Sequence, residues 1–580
     1  MRNIYIRFIC LVICLALITC LFNACKKNDT NNPASSEPIS SNVENNNDED
    51  SDTDDTFSEE VFEEDDYTQN DDAFVDDNYE DEEFEESEEF EESEEYSDEI
   101  LIKNNSAPIM TDYLGLNAIY HGYMYIPDET GRMYTEKQTA LEYSRIKQMG
   151  IQTVRTYYNS EYAYNATDNS WDWESEEMKG FYRWAKDMAE MDIDISLNAG
   201  WSIGGLTQWG TFYAKWHGIY VEGNKDATIK NYTSWMVESL KQFRAHGVNN
   251  IKYLFMLTEP GKGGTGRTTD EKLENLQDIN FDDWFAVVKS LDSGLKSAKM
   301  RSDYKMVGPN SVGYLITNSG SYISPMFYQA ITKANDYIDI YSNHTYLKMS
   351  SAVYDVVSEL VNPQWKEFVD FTKEKTGKDF WIDEYNIAFG GQSSIMETKK
   401  SPWQALHHAV SLSEGMNMGV KNQMMWTLAD QQWPNNFTNS DDGFVNGVQC
   451  HGVLPSLFIT SVPEVSYYGV SLLTKYFGNY ATVYGTESLF IHGGAQKDDK
   501  GNWSILAVNM ELADSTEVTF EFEKSIGRTV FYRHLYSTTE QYATSEAKLI
   551  GIDKVIVSNG NTFVDILPPG SMAVYTTVRD

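Results

Sequence analysis

The spacing of apolar and polar positions changes character along this chain, and each change marks a different architecture. Between about residues 110 and 430, short apolar runs alternate with longer stretches whose apolar residues recur every three or four positions. The runs at 113–117, 153–158, 193–199, 251–258, 305–310, 338–344, 380–385 and 423–428 read as strands. The stretches at 135–149, 176–191, 231–246, 281–298, 351–375 and 402–418 read as amphipathic helices. Eight strands with helical crossovers predict an α/β fold of the (β/α)8 barrel type, with insertions. The alternative is an open doubly wound sheet. Against it, no Gly-x-Gly-x-x-Gly follows the first strand and no phosphate-binding loop is present. The glycine-rich stretch from Gly261 to Gly266 reads as a loop at the barrel mouth.

Beyond about Gly478 the period shortens. Runs at 488–493, 503–510, 517–522, 529–535, 554–557, 562–566 and 572–577 alternate polar and apolar residues between Gly, Asn and Asp turns. That predicts a C-terminal β-sandwich over residues 479–580, after a barrel over residues 101–478. The segment 101–110 is read as an extra edge strand of the sandwich.

Composition changes the picture at the N-terminus. The chain has 580 residues and a net charge of −44, but residues 41–100 alone carry 31 Asp and Glu and no Lys or Arg. The remaining charge is ordinary for a soluble enzyme, and nothing is basic enough for nucleic-acid binding. Residues 26–100 therefore read as a disordered acidic linker that cannot bury enough apolar surface to fold. Residues 1–25 read as a targeting segment: Arg2 and Arg7 precede a nearly continuous apolar run from Phe8 to Phe22. Four of the five cysteines lie here, leaving only Cys450 in the folded part, so neither a disulfide framework nor a zinc site is expected.

Candidate chemistry gathers where the strands end. Tyr253 to Met256 leads into Leu257-Thr258-Glu259-Pro260, and Phe380-Trp381-Ile382 leads into Asp383-Glu384. Each is an apolar run that delivers a glutamate to the C-terminal end of a strand, where active sites of such barrels sit. Strand alternation puts Ile382, Glu384 and Asn386 on the inner face and turns Asp383 toward the helices. Thr258 and Glu259 would face opposite ways unless the strand end bends or bulges. The other strand ends carry Asn117, Arg155, Tyr157, Asn159, Asn198, Trp201, Asn310, His344, Tyr346, Trp426 and Trp433. Aromatic faces suit the C–H surface of sugars, and Asn, His, Arg and Tyr suit hydroxyls. Nothing in this pattern calls for a metal or an organic cofactor. His407 and His408 are adjacent on a predicted helix and face different ways, so they do not form a ligand pair.

Several passages resemble clan A glycoside hydrolases, most of all the β-xylosidase-like family 39. Thr258-Glu259-Pro260 resembles that family's Asn-Glu-Pro, and Ile382-Asp383-Glu384-Tyr385-Asn386 resembles its nucleophile strand. Ile340-Tyr341-Ser342-Asn343-His344-Thr345-Tyr346 resembles its sixth strand. Trp426-Thr427-Leu428-Ala429-Asp430, His451-Gly452-Val453-Leu454-Pro455 and Tyr467-Tyr468 resemble its eighth strand and the exit into the sandwich. The resemblance implies a retaining β-glycosidase with Glu259 as acid/base and Glu384 as an ionised nucleophile beside Arg155 and His344. Thr258 departs from the family's Asn, which contacts the sugar 2-hydroxyl. A carbohydrate-binding protein without turnover is the second reading; a metallo-hydrolase is a third and weaker one. Leu21-Phe22-Asn23-Ala24-Cys25 resembles a bacterial lipobox, which implies lipid on Cys25 and a cell-surface location. Leu17-Ile18-Thr19-Cys20 competes with it, and an uncleaved anchor would leave the protein on the same face. The expected partner is a poly- or oligosaccharide, with the membrane touched only through that anchor.

Overall fold

The computed structural model describes residues 98–111, 115–118, 120, 122–127, 131–199, 218–260, 280–312, 323–349, 357–389, 398–432, 444–445, 448–449, 451–478 and 481–579. Residues 1–97, Cys25 among them, and Trp201, the 261–266 stretch, Trp433 and Cys450 lie outside the described residues, so the expectations placed there are outside them too.

Eight parallel strands close into a barrel: β1 (Gly115–Asn117), β2 (Thr153–Tyr158), β3 (Asp194–Ala199), β4 (Ile251–Met256), β5 (Lys305–Val312), β6 (Ile340–Met349), β7 (Asp379–Phe389) and β8 (Asn422–Met425). Each predicted barrel strand is present. Among the described residues a helix follows every strand: α1 (Glu136–Met149), α2 (Glu176–Glu190), α3 (Lys225–Ala245), α4 (Phe281–Ser297), α5 (Pro325–Lys333), α6 (Val357–Thr376), α7 (Pro402–Met418) and α8 (Val465–Tyr476). Local sequence sets their ends. Thr135 and Gln138 cap α1 reciprocally, and Gly150 closes it at φ 63°, where a Cβ would be strained. Ser324 and Ser401 cap α5 and α7, each followed by a proline at the first helical position. The nine-residue α5 has too few turns to show a period in the sequence, and α3 begins at Lys225, before the predicted 231, because Asn224 caps it.

The barrel interior is layered. Phe255, Val307, Trp381 and Met424, from β4, β5, β7 and β8, form a small apolar cluster. Outward-facing neighbours such as Leu254, Met306 and Ile382 belong instead to the large core beneath the helices.

Two sheets form the C-terminal sandwich. The larger runs Met110–Thr111, Ala481–Tyr484, His492–Asp498, Trp503–Asn509, Ser571–Thr576, Val530–Ser537, Lys554–Val557 in spatial order. The smaller runs Thr486–Glu487, Asp98–Ile102, Thr516–Phe522, Thr562–Leu567. One face of the larger sheet shares the barrel's core through Leu506, Val508, Tyr536, Met572 and Val574. Its other face and the smaller sheet enclose Ile100, Ile102, Ile505, Phe520, Phe531 and Tyr575.

Three expectations need correction here. Residues 98–100 are not linker, and residues 98–111 belong to the sandwich rather than the barrel. Asp98–Ile102 pairs in parallel with Thr516–Phe522 because Ile100 and Ile102, both fully buried, supply the alternation a sandwich strand needs. The acidic run upstream hides where that alternation starts. This strand lies inside its sheet; the edge position falls to Met110–Thr111 in the other sheet. Finally, 488–493 is not one strand, since Leu489 and Phe490 are exposed between Thr486–Glu487 and His492–Asp498.

Candidate active site

Glu259 reaches the barrel mouth through a backbone that leaves the β region. Strand β4 ends at Met256, and Leu257 and Glu259 then adopt φ of 60° and 49°. Such left-handed positions cost a non-glycine residue roughly 1–3 kcal/mol and cluster where surroundings hold them for a purpose. The Glu259 amide donates to Asn310 O at 3.0 Å, and Asn310 has φ 57° itself. This turn resolves the parity problem at Thr258 and Glu259: both side chains are buried inside the mouth.

Glu384 arrives through a bulge. His344 pairs with Glu384 while Asn343 pairs with Ile382, so Asp383 is the extra residue in β7. The expectation that Asp383 points to the helices is therefore overturned, and so is the inward placement of Ile382. Trp381 and Asp383 follow the inner face, the bulge adds Glu384, and Ile382 packs in the outer core. Asn117 braces the bulge by donating to Asp383 O and Met424 O, each at 3.1 Å.

Arg155 is the hub of the cluster. It is fully buried, 5.2 Å from the centre of the Phe255 ring and 5.0 Å from that of Tyr157. Its Nη1 donates to Asn117 Oδ1 at 2.8 Å and to Glu384 Oε2 at 3.0 Å. Its Nη2 donates to Asn198 Oδ1 at 3.2 Å and Asn310 Oδ1 at 3.1 Å. Tyr157 donates to Glu384 Oε2 at 3.3 Å, and Tyr346 donates to Oε1. Three donors thus converge on the Glu384 carboxyl. Asn198 Nδ2 donates to Thr258 Oγ1 at 2.6 Å, and Trp426 packs edge-on against Tyr157 at 5.9 Å.

His344 joins the two glutamates. Its Nδ1 lies 3.0 Å from Glu259 Oε1; its Nε2 meets Asn310 Oδ1 and lies 3.6 Å from Glu384 Oε2. Burial alone would lower its pKa, but the charges of Glu384 and Asp383 and the close approach of Asp383 and Glu259 outweigh that and raise it to about 10. Burial drives the Tyr157 and Tyr346 hydroxyls well above their usual range, so both remain donors.

One carboxylate oxygen of Glu259, one of Glu384 and a His344 nitrogen all lie within 4.8 Å of one another. The Nε2 edge of the ring is occupied by the Asn310 oxygen.

Not every predicted residue joins this cluster. Asn386 donates to Trp426 O and accepts from Gln404 Nε2 at 3.3 Å, so it braces the ends of β7 and β8. Asn159 opens a short 3-10 turn beyond β2 without a side-chain cap. His407 and His408 are buried on α7, outside the barrel. The member that alternation misassigned is Asp383, fully buried below His344.

Solved structures match this closed (β/α)8 barrel and its two-sheet domain over most of the chain. The crystal structure of an α-L-arabinofuranosidase from Thermotoga maritima aligns with TM-score 0.54 at 14% identity, over 83% of this chain and 99% of that one. A GH51 arabinofuranosidase from Xanthomonas axonopodis pv. citri aligns with TM-score 0.53 at 14% identity, over 83% and 99%. A GH30 endoxylanase from Clostridium papyrosolvens C71 aligns with TM-score 0.50 at 12% identity, over 82% and 99%. At such identities the likeness is one of fold. No family model matches the sequence, and no curated protein matches it.

Proposed function

We propose that this protein is a retaining glycoside hydrolase that cleaves O-glycosidic bonds of poly- or oligosaccharides by double displacement. The carrying observation is the close approach of two carboxyl groups at the ends of β4 and β7, with oxygens within 4.8 Å. Retaining enzymes hold their carboxyls about 5–5.5 Å apart, whereas inverting ones leave about 6.5–9.5 Å for a water. Glu384 is the nucleophile. Arg155, Tyr157 and Tyr346 hold its oxygens toward the anomeric carbon and stabilise the negative charge it brings to the attack. Glu259 protonates the leaving oxygen and then, as a base, takes a proton from the water that releases the sugar. Thr258, Asn198 and Trp426 line the sugar's place.

The neighbours in fold are an endoxylanase and arabinofuranosidases. Together with the resemblance to family 39, they favour a pentose-containing plant polysaccharide as substrate. Lipid on Cys25 would hold the enzyme at the cell surface, beside polymers too large to import. The test is a panel of aryl pentosides and hexosides and defined oligosaccharides, with the first-formed product anomer followed by NMR. Retention of configuration is expected. An inverted first product, or binding without turnover across the panel, overturns the reading.

A further inference from the structure

Asp383 takes no part in the chemistry above, yet its carboxylate is fully buried against the catalytic cluster. The β7 bulge turns it inward, 3.4 Å from His344 Nε2 and 3.8 Å from Arg155 Nε. Neither oxygen accepts a hydrogen bond of ordinary geometry. Its influence on these neighbours is therefore one of charge.

The roles around His344 can be read from Asn310. Asn310 Nδ2 donates to Leu257 O at 2.8 Å, and a main-chain carbonyl can only accept. That fixes the amide, so Asn310 Oδ1 faces Arg155 Nη2 at 3.1 Å and His344 Nε2. Nε2 must carry a hydrogen. The variable is Nδ1, 3.0 Å from Glu259 Oε1. A neutral ring accepts the Glu259 proton at Nδ1; an imidazolium donates its own.

We propose that Asp383 is a positioning residue whose carboxylate keeps His344 doubly protonated and so makes Nδ1 the donor to Glu259. Charge balance supports this. Arg155 and His344 supply two positive charges, Asp383 and Glu384 two negative ones, and Glu259 is left to keep a proton. Remove the Asp383 charge and a neutral His344 balances the site, with the Glu259 proton turned toward Nδ1. The groups facing His344 are Glu259 after β4, Asn310 of β5, and Asp383 and Glu384 of β7. Arg155 of β2 shares Asn310 Oδ1 and is the opposing like charge. The raised pKa of His344 agrees, since the Glu384 and Asp383 charges overcome its burial. The catalytic consequence rests on the glycosidase reading: donation from Nδ1 occupies one oxygen of Glu259 and leaves its acidic hydrogen on the other, for the leaving group.

The test is Asp383→Asn, which keeps shape and removes charge. His344 is followed by NMR of imidazole-labelled protein, with His344→Gln for assignment. Wild-type His344 should stay charged past pH 9, and in Asp383→Asn it should titrate about 1–3 pH units lower. At pH 8 the variant should lose kcat/KM on alkyl glycosides more than on dinitrophenyl glycosides, and acidification should restore the ratio. A structural defect would lower both substrates alike and would not respond to acid. An unchanged titration in Asp383→Asn, or a neutral wild-type His344 at pH 8 (readable even if the variant does not fold), overturns the proposal. If the wild type cleaves no glycoside, the glycosidase reading falls while the NMR still decides the charge of His344.

Discussion

Two charge clusters in this molecule are built around an arginine, one half-exposed in the sandwich and one buried in the barrel mouth. In the sandwich, Arg533 donates to Asp565 Oδ2 at 2.7 Å and to Asp553 through Nε at 3.1 and 3.2 Å. Lys554 takes the other Asp565 oxygen, and Tyr575 adds a bond at 2.9 Å. Two cations meet two carboxylates, and each Asp565 oxygen has a direct donor. The barrel cluster has the same two cations' worth of charge, from Arg155 and His344, against three carboxyls. The surplus carboxyl is where a transferable proton can sit. Completeness fits the first cluster to a structural role; imbalance, with left-handed backbone at Leu257, Glu259 and Asn310, makes the second the candidate for chemistry.

The sharpest way to break this contrast is to remove the proposed nucleophile. Glu384→Gly should lower turnover by about 10⁴-fold or more. Azide should restore cleavage and give an inverted glycosyl azide, detected by NMR. Turnover that survives would reduce the barrel cluster to scaffolding like that of the sandwich. Glu259→Ala should cost about 10²–10⁴-fold on unactivated glycosides while sparing glycosylation from leaving groups that need no protonation. Burst kinetics on dinitrophenyl substrates read this directly, and equal losses on both substrate types would cancel the role assignment.

Arg533→Met probes the other side. It takes one cation from buried Asp565 while Lys554 and Tyr575 remain, so denaturant unfolding should show about 1.5–3 kcal/mol lost. The kcat/KM of the folded variant should equal wild type, and a change there would erase the distinction between the clusters.

The finest difference is one of sign in pH. His344 binds its proton more tightly when folded, so the stability it adds is full below about pH 6.5 and is lost as pH rises through about 10. Burial alone would raise the Asp565 pKa, but Lys554, the Ile566 main chain, Tyr575 and Arg533 lower it. Its contribution is present above the ordinary carboxylate range and is lost as pH falls through the lowered value. Melting temperature against pH should therefore lose its alkaline slope in His344→Gln and part of its acid slope in Arg533→Met. The opposite assignment would contradict the comparison.

The contrast also shows what a sequence displays. Barrel strands are largely buried on both faces, so Leu254-Phe255-Met256 and Phe380-Trp381-Ile382 stand out as apolar runs, and the glutamates follow at their ends. Alternation presumes continuous pairing, so it failed where pairing slips: Asp383 turned inward because of one extra residue in β7. The left-handed turn at Leu257 and Glu259 has no glycine to announce it and depends on Asn310 from another strand. Arg155 was visible as a candidate, but its partners come from five strands and could not be paired along the chain.

The strand Asp98–Ile102 gives the molecule a schedule. It is made before any barrel strand, yet its long partner is Thr516–Phe522, and Asp98 sits opposite Val518. At roughly 5–20 residues per second of synthesis, that separation means a wait of roughly 20–80 s after the strand is made. Throughout that time Ile100 and Ile102 have no sheet to enter. The smaller sheet therefore joins residues 98–102 to residues 516–567, and a nascent chain interrupted before Phe522 leaves Asp98–Ile102 without this partner.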